Sequence, residues 1–203
     1  MAIQDAVCTA IKEILKNITG EPTDSVNFYR KHFKVSDKHF YPIVADAVAN
    51  TLPLDTHRAH KIAEKLEIPG EFLQNSEMQK LAISALTREL DKEQIGYIDN
   101  RYWVAIKELF ALTDEMLDTP EIKKKLQSWM TRNAEQDQHI RGIEIAREVF
   151  PISDEDLQID QIQKPVQQKL LQSLRSGFLS LDIQRVYSIP ASFREDTEAK
   201  TAA

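Results

Sequence analysis

The chain has little cysteine, glycine or proline and no long apolar run. Its 203 residues include one cysteine, five glycines and eight prolines. A single cysteine excludes an intramolecular disulfide and any metal site built from several cysteines, and we expect Cys8 to be a small buried core residue. The scarcity of glycine and proline disfavours a turn-rich all-β fold. No segment approaches the ~18 apolar residues of a membrane-spanning helix, so no membrane association is expected.

The chain termini bear on the expected compartment. The amino terminus lacks the basic segment of a secretory signal peptide, which predicts a cytoplasmic protein. The polar tail at residues 194–203 has no apolar face and is expected to be disordered. Because this tail resembles the carboxyl-terminal translocation signals of bacterial effectors, a secreted effector that acts in a host cytosol is the alternative.

The charge balance is mildly acidic. The chain carries 26 basic and 32 acidic residues, a net charge of −6, and its isoelectric point is about 5.4. Such a balance disfavours broad binding to nucleic acid or to an anionic membrane, because both are polyanions. Hydrophobic residues make up 42% of the chain, which is enough for a packed core.

The hydrophobic pattern has helical periodicity throughout and no sustained alternation typical of strands. Apolar residues recur every three or four positions in the first segment, which predicts a helix within residues 1–20. Asp55 is placed to cap a later helix, and Thr119 followed by Pro120 marks the start of another. About ten helices are expected.

Self-similarity is the main feature of the sequence. Five predicted helices end on a large apolar residue, here called the anchor: Phe33, Leu66, Phe110, Phe150 and Tyr187. We expect the first four anchors to occupy equivalent buried positions. A second apolar residue follows each anchor by two positions: Val35, Ile68, Leu112, Ile152 and Ile189. In the second to fourth units, apolar residues also follow the anchor by twelve, sixteen and twenty positions, which places them along one stripe of the next helix.

This pattern resembles an α-solenoid of two-helix repeats, in the broad class of tetratricopeptide and HEAT repeats. The resemblance covers residues 26–193 and implies four to five αα units of either hand, with residues 1–20 as a capping helix. Residues 1–193 would then form a single repeat domain. The alternative is an irregular helical bundle. The signature residues of neither family are in register, so no functional residue is transferred.

Few residues suggest metal binding or catalysis. His57, His60 and Glu64 fall at positions i, i+3 and i+7 of a predicted helix, a spacing that could present three zinc ligands. The simpler interpretation is an exposed helix start followed by a solvated glutamate. No nucleophile or phosphate-binding motif occurs, so we expect no cofactor and no enzymatic activity. An all-α enzyme whose site is assembled from distant helices is an alternative.

A basic stripe follows the second helix of successive units. Lys80, Lys124 and Lys164 lie fourteen positions after their anchors, and Arg88 and Arg132 lie twenty-two positions after theirs. The candidate partner-binding residues are Lys80, Arg88, Lys124, Ser128, Arg132 and Lys164. They would suit a protein or peptide with an acidic or phosphorylated segment. Alternatively, an acidic ladder formed by Glu64, Glu108 and Glu148 neutralises the stripe.

These features predict a non-catalytic scaffold that binds proteins or peptides along an extended surface. An RNA-binding helical repeat is the alternative, although such repeats use a basic groove that the net charge does not favour.

Overall fold

A computed structural model describes residues 2–17, 23–91, 101–136, 140–175, 187–189 and 193. Within these ranges the chain forms eleven α-helices and no strand, which confirms the all-α prediction. The helices are α1 (Ala2–Asn17), α2 (Thr23–His32), α3 (Asp37–Thr51), α4 (Thr56–Lys65), α5 (Ser76–Leu90), α6 (Arg101–Leu109), α7 (Asp114–Leu117), α8 (Pro120–Gln136), α9 (Ile140–Val149), α10 (Asp154–Leu157) and α11 (Asp160–Arg175). No helix in these ranges is both long and apolar enough to cross a membrane. The tail at 194–203 lies outside the described residues.

The first compact unit comprises Met1–Glu89 and Arg101–Thr113. In this unit α3 packs against α1 and α4, and α4 packs against α6. The helix starts follow local capping, because the carboxylate of Asp55 accepts a hydrogen bond from the Arg58 amide at the start of α4. Phe40, Leu66 and Phe110 are fully enclosed and belong to its core.

The second compact unit comprises Leu90–Asn100 and Asp114–Ala203. Its main helix pair is α8 against α11. Thr119 accepts a hydrogen bond from the Ile122 amide, and Pro120 begins α8, as the sequence predicts. Trp129 and Phe150 are buried in its core. Trp103, in the first unit, is buried as well.

The corner after the anchor has the same backbone conformation in four places. The residue that follows the anchor has a positive φ of 48–51° at Lys34, Glu67, Ala111 and Ser188. At the first three corners two further hydrogen bonds complete a Schellman motif. After Phe110, for example, the Leu112 amide donates to the Lys107 carbonyl at 2.9 Å and the Ala111 amide donates to the Glu108 carbonyl at 3.1 Å. The local alignment in sequence therefore corresponds to one recurring helix end.

The corner after Phe150 differs because its next residue is Pro151, whose ring fixes φ near −65° and prevents the left-handed conformation. The Ile152 amide donates instead to the Phe150 carbonyl at 2.8 Å. The following helix α10 starts with a capping box between Ser153 and Asp156. One ion pair is nevertheless in the same register as at the first corner. Arg147 and Asp154 are joined at 2.9 Å, and Arg30 and Asp37 at 2.7 Å.

Burial follows the repeat positions closely. The residues twelve, sixteen and twenty positions after the second to fourth anchors are all buried: Met78, Ala82, Leu86, Ile122, Leu126, Met130, Ile162, Val166 and Leu170. The first anchor is an exception, because Phe33 is 38% exposed and not enclosed as expected. Its helix α2 leaves this ring uncovered among the aromatic neighbours described below. Cys8 is half-buried, so the expectation of a fully buried thiol is also wrong.

Two glutamines at equivalent positions bind the next anchor. Gln79 lies thirteen positions after Leu66 and donates through its amide nitrogen to the Phe110 carbonyl at 3.1 Å. Gln163 lies thirteen positions after Phe150 and donates to the Tyr187 carbonyl at 2.9 Å. The same offset from an anchor is therefore used twice to bind the carbonyl of the next anchor along the chain. The single repeat domain over 1–193 stays a prediction.

Candidate functional site

The three lysines of the predicted stripe, here called the lysine stripe, are Lys80, Lys124 and Lys164. All three are exposed on α5, α8 and α11, and so are Ser84, Ser128 and Gln168. Lys164 is joined to Asp160 at 2.7 Å across one helix turn, with both side chains strongly exposed. In the described part of the chain, Lys80 and Lys124 form no ion pair. Two cationic groups are therefore available to an external anion.

The arginines of the predicted stripe are engaged within the fold. Arg88 is half-buried, donates to the Leu52 carbonyl at 3.3 Å, and lies 3.6 Å from the carboxylate of Glu89. Arg132 is half-buried and donates to the Leu90 carbonyl at the end of α5. These side chains satisfy carbonyl groups that helix ends leave without a partner. The binding interpretation therefore applies to the lysines better than to the arginines.

The acidic ladder does not neutralise the described lysines by direct contact. Glu64, Glu108 and Glu148 are exposed. Within the first compact unit, Lys80 forms no ion pair with Glu64 or Glu108. Within the second compact unit, Lys124 forms no ion pair with Glu148. The neutralisation alternative therefore lacks the contacts it requires at these two positions.

The candidate zinc ligands are not arranged as a metal site. In the ranges that the structure describes, no three histidine, cysteine or carboxylate side chains converge on one point. The His57 ring stacks on Tyr102 with centroids 4.0 Å apart, and the His60 ring tilts toward the same tyrosine at 5.8 Å. In this structure both imidazoles pack on an aromatic ring, and His57, His60 and Glu64 are not grouped as zinc ligands would be.

His60 titrates below its ordinary range. Burial of the imidazole is the main reason that the pKa of His60 is lowered. The carboxylate of Glu64 opposes this shift, and the nearby His57 adds to it. His60 is therefore a neutral packing residue at physiological pH.

A cluster of four exposed or half-exposed aromatic rings was not expected. It is formed on α2 and at its end by Phe28, Tyr29, His32 and Phe33, and is here called the α2 aromatic cluster. Phe28 stacks on His32 at 5.2 Å and 11°, and Tyr29 stacks on Phe33 at 5.9 Å and 15°. Edge contacts at 84° and 82° join these two columns. Phe28 is 58% exposed, so the cluster presents aromatic surface to solvent.

Basic residues adjoin this cluster in the sequence. Lys31 and Lys34 are exposed, and neither has an internal ion pair in the described residues. Arg30 is occupied differently, because it bonds Asp37 at 2.7 Å and the Tyr41 hydroxyl at 3.1 Å, and its guanidinium lies 4.4 Å from the centre of the Phe40 ring. The lysines are therefore the available charges beside the aromatic rings.

The sequence did contain a signal for this cluster. The segment 28–34 consists entirely of aromatic and basic side chains, and aromatics four residues apart lie on one helix face. The repeat pattern predicts that Phe33 is a buried anchor, and it therefore places the segment at the buried end of a helix. Only the neighbours of α2 decide whether those rings are covered.

A depression in the second compact unit is too small for a metabolite. Its lining includes Leu126, Met130, Ile152, Lys123 and Asp156. It accommodates about one water molecule, far below the volume of small-molecule pockets. Lys123 is also held by Asp118 at 2.6 Å. This depression offers no substrate site.

Comparison with protein-family models, with curated proteins and with solved structures finds no match. The functional interpretation therefore rests on the residues and their geometry.

Proposed function

We propose that this protein is a non-catalytic helical-repeat scaffold of the α-solenoid class that binds protein or peptide segments. The lysines of the lysine stripe are the contact residues for an acidic or phosphorylated segment. Stacked two-helix units bury one face of each helix and leave another face to form an extended surface.

The observation that carries this proposal is the shared role of Gln79 and Gln163. Each lies thirteen positions after an anchor, and each donates to the carbonyl of the next anchor. A contact that recurs at one offset is expected when units pack in the same way. The junction after Phe110 departs from it, because Lys123 at this offset pairs with Asp118 instead. The recurring left-handed residue after Phe33, Leu66 and Phe110 supports the same conclusion.

The exposed lysines favour an anionic partner. Lys80 and Lys124 form no ion pair in the described residues, while the arginines on the same helices are bound to backbone carbonyls. Lysine ammonium groups that remain hydrated and unpaired can pair with carboxylates or phosphates at little cost in lost internal contacts. Such pairs contribute mainly to association rate and specificity.

The proposal is tested by selecting peptides from a random displayed library with the complete protein as bait. We expect the selected peptides to be rich in aspartate and glutamate. Binding of a labelled selected peptide is then measured by fluorescence anisotropy with the variants K80E/K124E and K12E/K16E. Both variants change the net charge equally, and all four lysines are exposed. The first should weaken binding about tenfold or more, and the second about twofold or less.

Selection of no peptide above background would overturn the scaffold proposal. Equal weakening by the two variants would show that only net charge matters, and would overturn the assignment to the lysine stripe. Melting curves from circular dichroism check that both variants fold. We expect little change in melting temperature, because exposed lysines contribute within about 0.5 kcal/mol.

A further inference from the structure

The α2 aromatic cluster is an uncovered apolar surface of unusual composition. Large exposed hydrophobic residues occur singly on most proteins, and Leu54, which is 84% exposed, is one example here. In the cluster, by contrast, four rings are contiguous, with centroids 4.9–6.0 Å apart. Contiguous exposed apolar surface typically marks a binding site.

The segment that carries the cluster differs in the sign of its net charge from the rest of the chain. Residues 26–40 contain four basic residues and one acidic residue, a net charge of +3. The remaining residues contain 22 basic and 31 acidic residues, a net charge of −9. Lys31 and Lys34 provide exposed charge next to the rings. A ligand that fits this surface therefore has an apolar group and negative charge beside it.

We infer that the α2 aromatic cluster is a docking site for an acidic protein segment. One aromatic or aliphatic side chain of this segment packs against Phe28 and Phe33, and the carboxylates on either side of it pair with Lys31 and Lys34. The inference rests on the class of partner in the proposed function. Its surface is a different one, because the cluster lies on α2 and the lysine stripe lies on α5, α8 and α11. Aromatic side chains supply large contact area and few torsions to immobilise, which makes them effective in such contacts.

Three other occupants fit the surface less well. A second copy would bring two clusters of net positive charge together, and their lysines would repel. Single-stranded nucleic acid stacks its bases on free ring faces, whereas Phe28 and His32 already share one stacked face, as do Tyr29 and Phe33. An anionic membrane would meet the repulsion of a chain whose net charge is −6.

The test compares Phe28→Glu with Leu54→Glu in the complete protein. Both variants replace an exposed apolar residue by the same charge, but Leu54 lies between α3 and α4, outside the cluster. Peptides are selected from a random displayed library on the wild-type protein. Their affinities for both variants and for Phe28→Ala are then measured by fluorescence anisotropy. Circular dichroism melting curves establish that each variant is folded, and Phe28→Ala tests the ring without a new charge.

We expect a group of selected peptides with an aromatic or aliphatic residue next to aspartate or glutamate. Their affinity should fall about tenfold or more in Phe28→Glu, several-fold in Phe28→Ala, and about twofold or less in Leu54→Glu. Their affinity should also persist in K80E/K124E. This last measurement separates the cluster from the lysine stripe.

Several results would overturn the inference. If every selected peptide depends on Lys80 and Lys124 and none on Phe28, the proposed function stands and this docking site does not. If no peptide is selected at all, both fail. Binding to a dT20 oligonucleotide and to phosphatidylserine vesicles is measured as well. If one of these ligands binds, if Phe28→Glu abolishes that binding and if no peptide depends on Phe28, the surface is assigned to that ligand. A dimer in sedimentation that Phe28→Glu dissociates would assign it to a second copy.

Discussion

The guanidinium of Arg88 donates a hydrogen bond of 3.3 Å to the carbonyl oxygen of Leu52, the residue that caps α3. Arg132 makes the same kind of bond to Leu90 in the second unit. The last carbonyls of a helix have no partner within the helix and carry partial negative charge, so a cation is stabilising there. Two side chains that resemble binding residues in sequence thus serve the fold.

Replacement of Arg88 by alanine should lower the free energy of unfolding by about 1–3 kcal/mol. The variant removes the donor to Leu52 and the cation 3.6 Å from the buried carboxylate of Glu89. Lys80→Ala on the same helix is the matched control and should change stability by less than about 0.5 kcal/mol. The measurement is urea denaturation. Equal effects of the two variants would contradict a capping role for Arg88.

Gln163→Ala should also lower the free energy of unfolding by about 1–3 kcal/mol, because two buried carbonyl groups lose their hydrogen-bond donor. Gln163 donates to Leu157 at 2.7 Å and to Tyr187 at 2.9 Å. The exposed Gln168 on the same helix provides the control, since its replacement should be neutral within about 0.5 kcal/mol. A neutral effect of Gln163→Ala in urea denaturation would contradict a stabilising role for these two hydrogen bonds.

Phe110→Ala should destabilise the protein by about 3–5 kcal/mol, the usual range for a core phenylalanine. Phe110 is fully buried, whereas Phe28 is 58% exposed. Phe28→Ala should therefore cost less than about 1 kcal/mol. Thermal and chemical denaturation of both variants give the comparison. A loss below about 1 kcal/mol for Phe110→Ala would show that this anchor is not a core residue.

Glycine at position 111 should stabilise the protein by about 0.5–1 kcal/mol. Ala111 has a φ of 48°, a conformation that disfavours residues with a Cβ, and this strain outweighs the greater freedom of glycine in the unfolded chain. Ala105→Gly, within α6, should have the opposite sign and cost about 1 kcal/mol. Differential scanning calorimetry measures both. A decrease in stability for Ala111→Gly would argue against the left-handed corner.

Stability should decrease as the pH falls below 6.5, the ordinary pKa of histidine. The folded protein lowers the pKa of His60, so between 6.5 and the lowered value the unfolded chain binds more protons than the folded protein. Acidification in this window therefore favours unfolding. The melting temperature should depend less on pH in His60→Gln than in the wild type. The control is His39→Gln, which replaces an exposed histidine. An unchanged pH dependence in His60→Gln would contradict the assignment.

The helices and their corners were predictable because they depend on local information. Asp55 accepts from a nearby backbone amide, and Pro120 starts a helix through its own fixed φ. The apolar offsets after Leu66, Phe110 and Phe150 identify buried faces, because positions three or four residues apart share one side of a helix. The exposed lysines of the candidate site follow from the same geometry, as they lie between the buried positions.

The sequence by itself therefore determined an all-helical chain with recurring helix ends, since hydrogen bonding, capping and side-chain periodicity act within a few residues. Only the tertiary structure decided which equivalent residues are covered, because burial needs a second element against the first. Phe33 and Phe110 have the same local pattern, yet Phe33 is 38% exposed and Phe110 is enclosed. Lys124 and Arg132 lie on the same helix eight residues apart, but the guanidinium reaches the Leu90 carbonyl and the lysine remains exposed. Such differences come from neighbours distant in sequence, which no local pattern specifies.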